Sequence, residues 1–295
     1  KNSYLQFVQG KGDIPVVEIK NNQASARISL QGAHLLSWVP RGEEDVIWLS
    51  KAAQYSLGKS VRGGIPVCWP WFGAHKENSG YPAHGFARTV FWQPIKTQQL
   101  ADDETQIIFS LQTQVQDTEA LAENRIHKMW PYNTQLEYSI SVGKTLKLEL
   151  TTMNNSNETI EISEALHTYF NVGDVTQSCV HGLEGKTYLD KPDNFRPKKQ
   201  AGPIEISEEV DRVYIDTVDD VEIKNKNRNI MIKKNGSQST IVWNPWHEVA
   251  RKMGDLGDAG YLQMLCVETA NAVSNALIIN AGERHTLSVE LSLSR

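Results

Sequence analysis

Period-two alternation of apolar and polar residues runs through most of the chain and limits its fold more than any other feature. In TQIIFSLQTQVQ (105–116), Ile107, Phe109 and Leu111 fall on one face, with Gln106, Ser110 and Gln112 on the other. KTLKLELTT (144–152) sets Leu146, Leu148 and Leu150 against Lys147 and Glu149. TQLEYSISV (134–142) alternates too, and Gly143-Lys144 stands between the two runs, where a hairpin turn belongs. After the polar turn NNSNET (154–159), TIEISEALHTYF (159–170) resumes with Ile160 and Ile162 against Glu161 and Ser163, and HTLSVELSL (285–293) closes the chain the same way. Such runs describe antiparallel strands with one face buried and one solvated.

Helix signals are few. Thr118 is placed to cap a short turn through TEALAENRIHKMW, ended by Pro131. Asn244-Pro245 reads as N-cap and first helical residue of WHEVARKM before Gly254. Neither segment is long enough to form a helical layer. YLDKPDNFRPKKQAGP (188–203) is the most loop-like stretch, with three prolines, yet too short to be a linker between separate domains. The expectation is an all-β fold of two packed sheets, one domain over residues 1–295.

Composition excludes several classes of partner. Lys and Arg number 30 against 35 Asp and Glu, a formal charge of −5, so the chain lacks the basic footprint of a nucleic-acid binder. No apolar run approaches the roughly 18 residues of a membrane span. KNSYLQFVQGKGDIP has no apolar core of a signal peptide. Cys68, Cys179 and Cys266 are odd in number and widely spaced, which predicts reduced thiols in a cytoplasmic protein and neither a disulfide framework nor a zinc site. Motif-like fragments fail on inspection. AAQYSLGKS (52–60) imitates the end of a phosphate-binding loop but has Ala53 where glycine is required. HEVAR (247–251) has Arg251 in place of the second zinc-binding histidine and reads as a surface helix turn. No metal, nucleotide or other cofactor is expected.

Three stretches break the alternating background. In VRGGIPVCWPWFG (61–73) and YPAHGFART (81–89), stiff prolines and permissive glycines suggest loops held against a sheet. Arg62 and Arg88 sit beside glycine-containing turns, where a guanidinium approaches an anion closely; surface salt bridging is the other use for such a pair. Trp69 and Trp71 have the shape to lie against sugar C–H faces, although packing in the core is the default for tryptophan. In EALHTYFNVGD (164–174), His167 ends an alternating run, as a structural histidine or as a group that exchanges a proton near neutral pH. In QMLCVETAN (263–271), Glu268 follows four apolar residues at the expected mouth of a loop. Desolvation there would raise its pKa into the range of a general base, while an ion pair is the plainer role.

Together these stretches resemble the hexose-6-phosphate mutarotases of the galactose-mutarotase-like, or aldose 1-epimerase, family. RGGIPVCWPWFG (62–73), PAHGFAR (82–88), ALHTYFNV (165–172), EEVDRVY (208–214) and CVETAN (266–271) match that family's blocks in order, over nearly the whole chain from about residue 25. The resemblance implies a β-supersandwich with a sugar-binding groove on one sheet. It assigns catalysis to His167 as acid and Glu268 as base, on opposite sides of the hemiacetal. Phosphate contact falls to Arg62 and Arg88 and hydroxyl contact to Asp211, with His84 beside the same groove. Some members carry glutamine where Ala83 stands, so one polar sugar contact is missing here. The implied partner is a small-molecule hexose phosphate, with the chain as a monomer or weak homodimer. The alternatives are a mutarotase for unphosphorylated sugars, which gives the arginines no anion to bind, and a carbohydrate-binding sandwich without catalysis, which needs no converging His and Glu.

Overall fold

The structure, a computed structural model, describes residues 4–114, 123–226 and 228–294. Its strands make antiparallel sheets of four, eight and nine strands and one small pair. Elements foreseen from alternation lie in the nine-stranded sheet, where Thr105–Gln112, Thr134–Val142, Leu146–Asn154 and Arg284–Ser294 are successive neighbours. Ile107, Phe109, Leu136, Tyr138, Ile140, Leu146, Leu148 and Leu150 are all completely buried, as period two demands. They meet Val17, Ile28 and Trp38 of the four-stranded sheet and Val242, Leu265 and Val267 of the eight-stranded sheet in one continuous apolar core. Each such side chain contributes about 1.5–3 kcal/mol through burial.

Two expectations are corrected. The run at 159–170 is three strands, Ile160–Ile162, Glu164–Leu166 and Tyr169–Asn171, and the gap between the last two holds His167. The loop-like stretch 188–203 is largely a hairpin, Thr187–Asp190 with Arg196–Lys199. Pro197 is tolerated because Arg196–Lys199 is the edge strand, where a missing N–H leaves no ladder partner unsatisfied, while Pro192 lies in the connecting turn and Pro203 outside the strands. The helix Trp246–Met253 follows Asn244-Pro245 as read, one residue later than expected, and Glu123–Met129 is helical although Thr118 lies outside the described residues. No helix among the described residues is long and apolar enough to cross a membrane.

The eight-stranded sheet positions the site. Its order is Arg196–Lys199, Thr187–Asp190, Val210–Tyr214, Ser239–Asn244, Met264–Asn271, Glu164–Leu166 and Val67–Cys68, with Tyr169–Asn171 also paired to Met264–Asn271. One face feeds the core through Val210, Tyr214, Val242, Val267 and Leu166. The other carries Asp211, Ile241, Trp243 and Glu268, which the same alternation turns away from that core.

The loop that begins at Arg62 is tied to the four-stranded sheet by His34, whose buried Nε2 donates to the Gly63 carbonyl at 2.8 Å. Gly64 takes φ +73°, and a Cβ there would overlap the His34 ring and lie 2.5 Å from the Leu35 carbonyl. Burial lowers the His34 pKa to about 4 against its Gly63 bond. The unfolded chain therefore takes up a proton as pH falls through 6.5 while the folded chain does not, so this stability is present above 6.5 and lost toward pH 4. Wild type should lose about 2 kcal/mol more stability than His34→Gln between pH 7 and pH 5. Urea midpoints at the two pH values check this; equal losses would contradict it.

Candidate active site

A pocket of about 640 Å³ opens over the outward face of the eight-stranded sheet. Two cross-strand rows make its floor. Asp211 pairs with Trp243, Trp243 with Cys266 and Cys266 with Tyr169; in the next row Val213 pairs with Ile241 and Ile241 with Glu268. His167 is held beside them by its own N–H to the Pro66 carbonyl at 3.0 Å, while the Val267 N–H donates to the Thr168 carbonyl at 3.3 Å. The walls are the segment around Arg62, the His84–Arg88 segment, the helix Trp246–Met253 through Val249 and Met253, and the hairpin tip at Lys191.

His167 Nε2 and Glu268 Oε1 stand 3.3 Å apart, at 10% and 1% side-chain exposure. Acid and base candidates are thus in direct contact, not on opposite sides of a gap. Glu268 is also not at a strand end: it lies within Met264–Asn271, all eight residues of which are buried. His167 Nδ1 and Glu268 Oε2 are buried without a hydrogen-bond partner among the described residues, an arrangement that is uncommon for buried polar atoms. Burial, with His84 and Arg88 nearby, pushes the His167 pKa well below 6.5. Burial, reinforced by Asp211, raises Glu268 well above 4.5. Burial thus works against the charged form of each, and two groups in contact titrate as one coupled unit.

His84 occupies a left-handed conformation, φ +64°, uncommon for a residue with a Cβ. The next residue, Gly85, packs so closely on the Trp69 carbonyl that a Cβ would overlap it. His84 Nδ1 accepts the Gly73 N–H at 3.3 Å, which leaves the ring proton on Nε2. Burial and the charges of Arg88, Lys191 and Arg62 lower its pKa to about 3, so it is a neutral donor. That three cations depress one histidine shows how concentrated positive charge is here, in a chain whose net charge is −5.

Arg62 donates from Nε to Asp255 and from Nη1 to the Tyr169 hydroxyl, both at 3.0 Å. Arg88 donates to the Ala83 carbonyl at 2.7 Å, and its Nε is buried without a partner. Asp211 is engaged by Lys191 at 2.6 Å, and burial still holds its carboxyl above the usual range. All six expected residues, His84, Arg62, Arg88, His167, Asp211 and Glu268, line the one pocket. Trp69 and Trp71 do not: both are buried in the core, and Phe72, Tyr169 and Trp243 supply the aromatic lining instead. Among the described residues, no three His, Cys, Asp or Glu side chains converge to hold a metal ion.

Sequence reading missed Tyr169, Lys191, Lys59 and Asp255. Tyr169 was within reach, since it lies two residues beyond His167 and period two puts both on one face. Asp255 carried no signal, being 193 positions from Arg62.

Comparison with known proteins gives a consistent answer. The family model described as aldose 1-epimerase matches residues 15–292. A protein of Escherichia coli K12, provisionally named glucose-6-phosphate 1-epimerase, is 38% identical over 263 residues, covering 88% of this chain and 84% of its own. A Haemophilus influenzae protein of the same provisional name is 31% identical over 293 residues, covering 98% and 95%. The crystal structure of a provisionally named mutarotase from Salmonella typhimurium superposes with a TM-score of 0.89 at 32% identity, over 99% of this chain and 94% of that one.

Proposed function

From the site just described and from the fact that the chain belongs to the aldose 1-epimerase family, we propose that it interconverts the α and β anomers of a hexose 6-phosphate, D-glucose 6-phosphate first among them. The protein is an isomerase with a sugar substrate; the proposal concerns which sugar and which residues. It is carried by one observation: a buried His–Glu contact shares a pocket with Arg62, Arg88 and Lys191.

In this reading the reactive form is the ionised pair, which burial makes the less favoured one: Glu268 takes the proton from the O1 hydroxyl while His167 protonates the ring oxygen O5. The C1–O5 bond breaks, the O1 electron pair forms the aldehyde, and rotation about C1–C2 presents the other carbonyl face. Reclosure returns both protons. O1 and O5 are bonded to the same carbon, so an acid and a base in contact with each other suit them better than a pair held apart. The His84 Nε2–H and the Lys191–Asp211 pair offer a donor and further polar contacts to hydroxyls, and the guanidinium groups face the phosphate. The balance of the reaction requires no redox step and no second substrate.

The test is kcat/KM for anomer exchange of glucose 6-phosphate against glucose. Charge-assisted hydrogen bonds contribute about 1.5–3 kcal/mol each, so the phosphorylated sugar should be favoured at least about 10-fold. Equal values would favour the reading as a mutarotase of neutral sugars.

The pH profile follows from the direction of the His167 shift. Burial makes the imidazole take up a proton only below its usual value of 6.5. The acidic limb of kcat at saturating sugar should therefore be centred below pH 6.5. An acidic limb centred at or above that value would show that burial does not lower His167.

A further inference from the structure

Behind the imidazole lies a stack of parallel rings. Tyr169 lies on His167 with centroids 4.9 Å apart at 15°, and Trp48 lies on Tyr169 at 5.9 Å and 21°. Trp243 packs edge-on against both His167 and Tyr169, at 5.9 Å in each case. Beyond Trp48 the backbone is close enough that a Cβ on Gly260 would lie 2.9 Å from the indole.

The same tyrosine reaches the cationic wall. The residue is 2% exposed, and its hydroxyl accepts from Arg62 Nη1 at 3.0 Å. Arg62 is braced on its Nε edge by Asp255, whose carbonyl in turn accepts the Ser50 hydroxyl at 2.7 Å. Burial pushes the phenol pKa up, so it meets the guanidinium as a neutral acceptor.

We propose that Tyr169 is the positioning residue that joins anion recognition to proton transfer, its ring setting the plane of His167 and its hydroxyl fixing Arg62 toward the substrate phosphate. This rests on the reading of the pocket as a hexose 6-phosphate site. Its consequence is that some phosphate binding energy appears in kcat, because an anion that fixes Arg62 also steadies the ring on which the acid rests.

Two variants separate the halves of the claim. Tyr169→Phe keeps the ring and removes the acceptor. It should lower kcat/KM for glucose 6-phosphate about 10-fold, weaken inhibition by inorganic phosphate by a similar factor, and cost distinctly less with glucose. Tyr169→Leu also removes the ring, and kcat should drop a further roughly 10–100-fold with either sugar, the cost of a misplaced catalytic group. Nitrogen-15 signals of the His167 imidazole should shift in the Leu variant and hold in the Phe variant, a readout that needs no turnover. Unchanged phosphate inhibition in Tyr169→Phe would overturn the link to Arg62. Equal kcat and unshifted imidazole signals in the two variants would overturn the positioning role. If wild type turns over glucose and not its phosphate, the hexose-phosphate reading fails, and the imidazole signals still decide whether the ring sets His167.

Discussion

Glu268→Gln is expected to turn over at most about one hundredth as fast as the parent protein, because general acid–base help is typically about 10²–10⁴-fold. The substitution is nearly isosteric at a residue 1% exposed whose Oε2 has no hydrogen-bond partner. It removes the proton acceptor and little packing. Folding should therefore survive, and a urea midpoint at or above that of wild type accompanies the loss, since a buried ionisable group has been replaced by a neutral one. His167→Ala removes the other half of the pair and should cost at least about 10²-fold as well. The two losses should not add, because the two groups act as a unit and removing either leaves its partner unable to complete the transfer. Near-wild-type exchange in either single variant would remove that residue from the chemistry.

Arg88→Ala and Arg62→Ala are expected to lose about 10–150-fold each in kcat/KM for glucose 6-phosphate, the value of a charge-assisted hydrogen bond of about 1.5–3 kcal/mol. Glucose presents no anion, so its loss should be much smaller. Of the two, Arg88 disturbs the wall less: its described hydrogen bond goes to the Ala83 carbonyl and it makes no ion pair among the described residues, although its charge also acts on His167 and Glu268. Removing Arg62 also strips Asp255 of its ion pair and Tyr169 of its donor, so some of that loss comes from disorder in the wall. Arg88→Lys should recover only a fraction of the activity, since an ammonium lacks the planar fork that meets two phosphate oxygens at once. Equal losses with both sugars would mean that the arginines hold the fold or the ring, and the preference for phosphate would fall.

How far such a site can be read in advance depends on where its residues sit in the sheet. Leu146, Leu148 and Leu150 announced their strand because one face of it is solvated. Met264–Asn271 is buried on both faces, so no alternation marks it, and Glu268 looked like a strand end when it is mid-strand. The hairpin carrying Lys191 was masked by Pro192 in its turn and by Pro197, which a strand admits at the sheet edge. His84, Arg62 and Arg88 were legible because glycines flank them, and those glycines are needed for positive φ and for close backbone approach to Trp69 and His34. The contact between His167 and Glu268 joins distant stretches of the chain through two sheet pairings, which no local pattern encodes. Trp69 and Trp71 are buried in the core, the default expectation for tryptophan.

Exchange between the two anomers of glucose 6-phosphate at equilibrium, followed by two-dimensional exchange NMR of the anomeric protons, tests the proposed reaction most directly. With wild-type protein, cross-peaks between the α and β signals should grow in proportion to protein concentration above the spontaneous rate, with no new species formed. With Glu268→Gln they should return to the spontaneous rate. Cross-peaks that do not respond to wild-type protein would contradict the assignment of a hexose 6-phosphate as the substrate.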